Sequence, residues 1–352
     1  MIPILTGLTW ATLTGDSQAQ RLPIPDYQMR EQPDDCSLAP SDYGPTTLLS
    51  FCDTEDYTYL RDLKRHNDFF DPIKYLPLNA DGTDYLSFGG EIRERWEYYS
   101  QPPLGQGPQD KNGYYLQRNM LHADLHLGQT FRLFTQFKSD LENDRDGGAR
   151  PSIDEDKANI QQLYLDINFP SFDEGSFTLR LGQQELAYGI VRLIDPREGP
   201  NVRQSFDGAK AILHVEKWEI DGFATRLAET NTDRFDNPDP YTKFRGLYAT
   251  PDLGFIPNAG IDLYYLGLRR NFAPFDSGLA TKTRHTLGSR LHGTRGSAAY
   301  VGEETNLVGV WQINRHLTFT TSYSHFFAGD YAPEIPGSGS FNYVATWLTF
   351  KF

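Results

Sequence analysis

The chain has 352 residues, of which 38% are hydrophobic and 14% aromatic, and it carries a formal net charge of −14 with a mean hydropathy of −0.55. No apolar run approaches the roughly 20 residues that a membrane-spanning helix needs, which excludes a helical membrane protein. The aromatic content argues against a disordered chain, and the acidic balance argues against nucleic acid as a partner.

Residues 1–19 resemble a weak export signal. The segment Ile2–Leu13 is mostly apolar and uncharged, and Ser17–Ala19 has the small-x-small pattern of a cleavage site, although the usual basic start is missing. We therefore predict export and cleavage after Ala19. A disordered N-terminal tail is the alternative.

Residues 20–82 are rich in proline and turn residues and alternate poorly, which predicts a periplasmic N-terminal extension outside the main sheet. A short helix is predicted to begin near Asp53, with Tyr57, Leu60 and Lys64 on successive turns.

Cys36 and Cys52 are the two cysteines of the chain, and both lie in this extension. They form either a disulfide in an oxidising compartment or two unrelated thiols. The absence of any CxxC or Cys/His spacing in the sequence argues against a structural zinc site.

After Asp84 the sequence alternates with a period of two residues. In the first such segment Glu91 and Arg93 lie on one face, and Phe88 and Ile92 lie on the other. Because side chains alternate along a strand, each segment has one apolar and one charged face. The predicted strands cover residues 84–99, 114–128, 130–142, 157–169, 175–188, 207–217, 219–229, 242–250, 260–271, 283–293, 304–313, 317–328 and 341–352.

The connections and the last strand distinguish a membrane barrel from a soluble β-sandwich, which is the alternative. Most segments exceed the roughly 9–11 residues of a tilted transmembrane strand. Tight turns alternate with long polar loops, as in barrels of the outer membrane. The final strand ends on Phe352, and a C-terminal strand that ends in phenylalanine is the feature by which such barrels are recognised by their assembly machinery. The long loops are predicted at 100–112, 143–156, 190–206, 230–241, 272–282 and 329–340.

Residues 83–352 are therefore predicted to form an all-β, transmembrane antiparallel β-barrel. If the apolar face meets lipid, the charged face lines a lumen, and arginines there attract phosphates or carboxylates. Arginine–carboxylate networks that only stabilise the wall are the alternative. The candidate pore-lining residues are Arg93, Arg95, Arg118, Arg132, Arg180, Arg192, Arg203, Arg284, Arg290, Glu91, Asp124, Asp166, Glu185 and Asn201.

The long loop at 190–206 is predicted either to fold into the lumen as a gate or to form an exposed turn. The acidic loops at 140–146 and 152–156 either hold Ca²⁺ through oxygen ligands or are solvated, and they lack EF-hand spacing. His122 and His126 share a strand face, but no third metal ligand is identifiable, and no Gly-x-Ser-x-Gly elbow occurs. We therefore expect no catalysis and no required cofactor.

Several separate stretches, in order along the chain, carry a resemblance to a known family. They are Tyr85–Arg93, Leu121–Leu125, Arg180–Gly189 with its continuation to Gly208, Asn314–Leu317 and Tyr323–Gly329. These stretches resemble the alginate export family of outer-membrane porins. The resemblance implies a monomeric outer-membrane β-barrel whose arginine-rich constriction passes an anionic polysaccharide outward. We expect the acids of the lumen to orient its arginines and to prevent overly tight binding.

The family barrel has about eighteen strands, whereas this chain has length for about twelve to fourteen. The deficit maps to Gly296–Tyr300, where the flanking strands are predicted to run in the same direction, so a block is suspected to be missing near Tyr300–Val301. Two other functions remain open: an uptake porin for small anionic or aromatic solutes, and a non-conducting structural barrel.

Overall fold

The computed structural model describes residues 4–6, 56–100, 112–150, 152–172, 175–189, 191, 193–232, 234–251, 260–275, 278–292, 303–327 and 341–352. Cys36, Cys52, the predicted cleavage site and Asp53 lie outside these residues. No helix among the described residues is long and apolar enough to cross a membrane.

All thirteen predicted strands are present, with shifts at their ends, and two short strands precede them. The strands are β1 (Ile4–Thr6), β2 (Leu76–Pro77), β3 (Tyr85–Tyr99), β4 (Tyr114–Leu127), β5 (Phe131–Asn143), β6 (Asp156–Phe172), β7 (Gly175–Gln184), β8 (Phe206–Val215), β9 (Trp218–Glu229), β10 (Asn237–Pro251), β11 (Gly260–Phe275), β12 (Gly278–His292), β13 (Glu303–Gln312), β14 (Leu317–Phe327) and β15 (Phe341–Lys351).

The strands form one antiparallel sheet in which fourteen follow each other in the order β1-β13-β14-β15-β3 and then onward to β12. The first and last long strands meet, because β15 pairs with β3. Neighbouring strands along this path are antiparallel, and an even number of steps leads from β13 to β12. These two strands therefore run in the same direction, as the sequence predicted. Within the described ranges they do not pair with each other, and β1 runs antiparallel along β13 at this position.

The two faces of the sheet have the polarity of a membrane barrel. Leu121 on β4 is 57% exposed, whereas Arg118, three residues earlier on the opposite face, is fully buried. The same alternation holds on β3, where Phe88 and Ile92 are exposed and Glu91 is buried. A soluble sandwich buries its apolar face, so this arrangement excludes that alternative and confirms an all-β transmembrane barrel with a polar interior.

The predicted long loop at 272–282 is wrong. Strand β11 continues to Phe275 and β12 begins at Gly278, so the two strands extend as a hairpin beyond the predicted ends. Polar residues there, such as Lys282, suggested a loop, but the backbone ladder continues through the pair Arg270–Lys282. Cross-strand pairing satisfies the backbone irrespective of the polarity of the side chains.

The N-terminal extension does not form the single predicted helical segment. Two 3-10 turns, Thr58–Arg61 and Leu63–Arg65, are separated by Asp62 in an extended conformation, and a short helix, α1, follows at Asp71–Lys74. The Asp62 side chain accepts a hydrogen bond from the backbone N–H of Lys64, which favours the break.

This extension packs against the end of the barrel that carries the short turns, which is the periplasmic end in barrels of this type. Tyr57, Leu60, Tyr75 and Tyr85 form a buried cluster across the mouth. Lys74 of α1 is also buried, with its ammonium group 4.6 Å from the centre of the Tyr57 ring.

Candidate functional site

The connection between β7 and β8, residues 185–205, enters the lumen, and we call it the inserted loop. Its Leu186 and Ile194 are buried in one apolar cluster with Phe223 of β9 and Leu266 of β11. The hydroxyl of Tyr188 donates to Asp221 over 2.7 Å. The inserted position, rather than the exposed turn, is therefore the arrangement of this loop.

Arginines of β3 and β4 hold the far part of the inserted loop through its backbone. Arg118 donates to the carbonyl oxygens of Asn201 at 2.9 Å and Pro200 at 2.6 Å. Arg93 donates to the carbonyls of Pro200 at 2.9 Å and Glu198 at 3.0 Å. Guanidinium groups carry five donors, so one arginine can fix several carbonyls at once.

Asn201 fastens the inserted loop to the wall from its own side chain. Its amide nitrogen lies within hydrogen-bond distance of the carbonyl oxygens of Gln117 and Leu141, at 3.1 Å each, and of Asp154 at 2.9 Å. These carbonyls belong to β4, to β5 and to the connection after β5. The predicted substrate-binding residue Asn201 is thus a link between the loop and the wall.

The carboxylates around these arginines neutralise much of their charge. Glu198 of the inserted loop lies 2.9 Å from Arg118 and 2.7 Å from Arg203. Arg203 also contacts Glu185 at 2.5 Å, and Glu91 lies 3.5 Å from Arg118. The contacts of these arginines are therefore those of a network that stabilises the barrel wall, which is the alternative to a pore-lining role.

Arg95 extends this network toward the extracellular end of the barrel. It donates to the carbonyl of Gly199 and pairs with Glu97 on its own strand. Its guanidinium also donates to the Tyr343 hydroxyl at 2.6 Å and lies 5.2 Å from the centre of the Trp347 ring on β15. Arg95 thereby links the inserted loop to the seam between β3 and β15.

A second row of ion pairs runs along β4–β7. Arg132 binds both oxygens of Asp124, at 2.9 and 2.8 Å, and approaches Asp166 at 3.5 Å. Arg180 binds both oxygens of Asp166, at 2.8 and 2.9 Å, and stacks over the Tyr164 ring at 3.8 Å. Bidentate pairs of this kind fix the orientation of each guanidinium plane.

The opposite wall differs, because its cations are largely unengaged. Arg290 pairs with Asp262. Arg270, Lys282 and Arg284 lie on the same lumenal face by strand register, and we call them the lumenal triplet. Within the ranges that the structure describes, none of the three makes an ion pair or a side-chain hydrogen bond.

The structure brings the predicted site residues to one lumen, except Arg192, which lies outside the described residues. Sequence reasoning missed Glu198, which shares its carboxylate among the arginines, and two members of the lumenal triplet, Arg270 and Lys282. Lys282 could have been found by continuing the two-residue alternation of the strand back into the predicted loop at 272–282. Glu198 had no comparable signal, because its partners lie far away in sequence.

The acidic residues of the predicted loops form ion pairs with basic side chains of the protein. Asp154 binds Arg150 at 2.7 Å, and Asp156 binds Lys138 at 2.7 Å. Among the described residues no group of three or more His, Cys, Asp or Glu side chains is placed to hold a metal ion. Calcium in these loops stays a prediction.

No curated protein matches the chain. OprB of Pseudomonas putida at high pH is 10% identical with a TM-score of 0.49, over 76% of this chain and 94% of that one. OpdK of Pseudomonas aeruginosa, crystallised with vanillate, is 10% identical with a TM-score of 0.41, over 76% and 98%.

Pseudomonas aeruginosa OccD3 is 12% identical with a TM-score of 0.36, and the match covers 69% of this chain but 57% of that one. The sequence model of the alginate export family matches residues 84–299. This range is more than half of the chain. The protein therefore belongs to the alginate export family and is an outer-membrane β-barrel of the porin type.

Proposed function

We propose that the protein conducts an anionic polysaccharide of the alginate type across the outer membrane. The observation that carries the proposal is the lumenal triplet, Arg270, Lys282 and Arg284, whose charges are not neutralised by any described residue. Uronate carboxylates are anions that guanidinium and ammonium groups bind through charge-assisted hydrogen bonds.

The difference between the two walls supports this proposal, because the cations of one wall are neutralised and the lumenal triplet of the other is not. Arg93, Arg118 and Arg203 are held by the inserted loop and by carboxylates, so they give a fixed positive environment with little capacity for tight binding. Conduction requires binding that favours entry and still allows release. A sugar chain therefore moves along the lumenal triplet, opposite the fixed network.

The inserted loop is proposed as the gate of this path. It occupies the lumen between β3–β4 and β9–β11, so its position determines how much of the section is open to solute. The assembled protein acts as a monomer. Phe352 is proposed to serve as the recognition end for the assembly machinery, and it pairs with Gly90 of β3 through two backbone hydrogen bonds, at 2.8 and 3.0 Å.

Planar-bilayer recording tests the proposal with the complete chain. We expect anion-selective current that oligomers of uronic acid block at lower concentrations than a small aromatic acid such as benzoate. The double substitution Lys282→Gln with Arg284→Gln should lower the anion preference severalfold and weaken the block. The matched control is Arg180→Gln, whose guanidinium is already bound to Asp166, and it should change selectivity less.

Three results would contradict the proposal. A stronger block by benzoate would favour uptake of small anionic or aromatic solutes. Unchanged selectivity in the double variant would remove the role of the lumenal triplet. No current from correctly folded protein would indicate a non-conducting structural barrel.

A further inference from the structure

A group of cations on the outer wall breaks the apolar pattern of the membrane-facing surface. Arg226 of β9, Lys243 and Arg245 of β10 and Arg269 of β11 are all exposed. We call these four residues the outer basic patch. Their chain neighbours Phe244 and Leu268 lie on the other face by strand alternation, so the patch is separate from the lumenal network.

Strand register assembles the patch from three strands. Arg226 pairs with Lys243, and Lys243 pairs with Arg269, so these three side chains form one row. In the adjacent row Arg245 lies between Ala224 and Gly267. Paired residues on an antiparallel sheet point to the same face at close spacing, so four cations share a small area.

The side chains enclose a recess of about 860 Å³ whose floor is formed by small residues. Ala224 and Gly267 are part of this floor, and His285 of β12 lies at its edge. A Cβ atom added to Gly267 would lie 3.2 Å from the Arg245 side chain, so the glycine leaves room beside that guanidinium. The recess is large enough for a charged headgroup.

The four cations of this recess outnumber its acids. Asp207, which lies opposite Arg226 in the register of β8 and β9, is the one acid among the residues that line it. Within the described part of the chain, none of the four cations makes an ion pair or a side-chain hydrogen bond. Charged groups on the lipid face of a barrel are destabilising, most strongly at mid-membrane and less near its surfaces, and like charges add repulsion. An anionic group from outside the chain would relieve this cost.

The depth of the patch identifies the leaflet. Arg226 lies eight residues after Trp218, which begins β9 beside the short turn after β8. At about 3.3 Å per residue and a tilt near 40°, this separation corresponds to a height of about 20 Å. Because the apolar band of such barrels is about 25 Å tall, the patch lies at the outer boundary of the membrane.

We infer that the outer basic patch binds the phosphorylated headgroup of a glycolipid in the outer leaflet of the membrane. Phosphate oxygens accept several charge-assisted hydrogen bonds, and guanidinium groups match them in a bidentate geometry. Clusters of lysine and arginine at membrane boundaries are the usual recognition sites for anionic headgroups. The acyl chains of the lipid would lie along the apolar band below, which includes Leu247 and Leu263.

The test measures binding of diphosphorylated lipid A to the purified full chain in detergent, by native mass spectrometry. Wild type should retain lipid A and should bind its dephosphorylated form at least tenfold more weakly. The fourfold variant Arg226→Gln, Lys243→Gln, Arg245→Gln and Arg269→Gln should lose most of the binding.

The matched control replaces Arg270, Lys282 and Arg284 with Gln, which removes charge from the lumenal face of the same sheet. This control should retain lipid A whatever the transported solute is. Equal loss in both variants, or unchanged binding in the fourfold variant, would overturn the inference. If the fourfold variant does not fold, Lys243→Gln with Arg269→Gln replaces it under the same criteria.

Two further results would also count against a lipid ligand. Competition by inorganic phosphate at equal concentration would indicate a general anion site without a requirement for the lipid. Self-association of the chain in lipid-free detergent that disappears in the fourfold variant would indicate that a second copy covers this face.

Discussion

The terminal guanidinium nitrogen Nη2 of Arg118 on β4 lies 2.6 Å from the carbonyl oxygen of Pro200 in the inserted loop. The two residues are separated by 82 positions in the sequence. This contact, together with those of Arg93, makes the position of the loop depend on arginines of the barrel wall. These arginine contacts therefore hold the proposed gate in its inserted position.

Replacing Arg118 with Ala should release the inserted loop. The side chain is fully buried and contacts Glu198 at 2.9 Å, so its removal leaves a carboxylate without one of its partners. Glu198 is 46% exposed, so water replaces part of this contact, and the larger cost comes from the buried carbonyl oxygens of Asn201 and Pro200 that lose a donor, about 1–3 kcal/mol each. We expect a lower unfolding temperature, faster amide hydrogen exchange over residues 193–204, and noisier single-channel current.

Arg132→Ala is the control for this release. Arg132 also forms ion pairs, and its partners Asp124 and Asp166 belong to β4 and β6. It should lower the unfolding temperature without accelerating exchange in the loop. Equal exchange in wild type and Arg118→Ala would show that other contacts hold the loop.

Gly89→Val should detach the N-terminal extension from the periplasmic mouth. A Cβ atom at Gly89 would lie 2.6 Å from the His122 ring and 2.7 Å from the Lys74 ammonium, so these side chains must move. Limited proteolysis should cut residues 56–82 faster in this variant while the barrel remains intact. Gly222→Ala is the control, because its Cβ would meet only Leu247, at 3.3 Å. Unchanged proteolysis of the extension in Gly89→Val would contradict the docking.

Acid should weaken the same docking through Asp68, which lies 2.7 Å from His316 in the turn between β13 and β14. Burial opposes ionisation of Asp68, but hydrogen bonds from His316 and from the backbone N–H of Phe70 outweigh it and lower the pKa below the ordinary value of 3.8. The unfolded carboxyl therefore binds a proton at a higher pH than the folded one.

The stabilisation from Asp68 is consequently full above about pH 4 and is lost as the pH falls through the lowered pKa. Amide hydrogen exchange of residues 56–75, corrected for intrinsic rates, should accelerate in wild type over this interval. Asp68→Asn should show fast exchange already at neutral pH and a flatter response to acid. A variant with the same pH profile as wild type would exclude Asp68 as the acid-sensitive contact.

Leu121→Arg should destabilise the folded protein in a bilayer. Leu121 is exposed at the middle of β4, so the substitution places a charge on the lipid face near mid-membrane. The expected cost is about 2–4 kcal/mol, measured by reversible unfolding in vesicles. Leu121→Met, which keeps an apolar side chain, should change the stability much less. No loss in Leu121→Arg would mean that this face meets water.

The strands and their two faces could be predicted from the sequence because both depend on local information. A period of two fixes which side chains share a face, and it placed Arg93 and Arg118 in the interior without knowledge of any partner. The alternation of tight turns and long loops gave β12 and β13 the same direction. The prediction from the period of two failed at 272–282, where polar side chains suggested a loop although the ladder through Arg270 and Lys282 continues.

The partners of the arginines could not be predicted in this way. Arg118 meets Pro200, and Arg203 meets Glu185, only after the inserted loop has turned into the lumen. Ion pairing between distant positions has no period in the sequence, so candidate pore arginines and wall-stabilising arginines look alike there. The tertiary structure separates them by showing which charges are already neutralised.

The sequence by itself therefore determined the barrel, its polarity and its charged interior, since alternation along a strand is a property of each segment alone. Only the tertiary structure decided which cations remain available, because that depends on register between strands. Arg226, Lys243 and Arg269 come from three separate strands, and they become one row only when those strands pair.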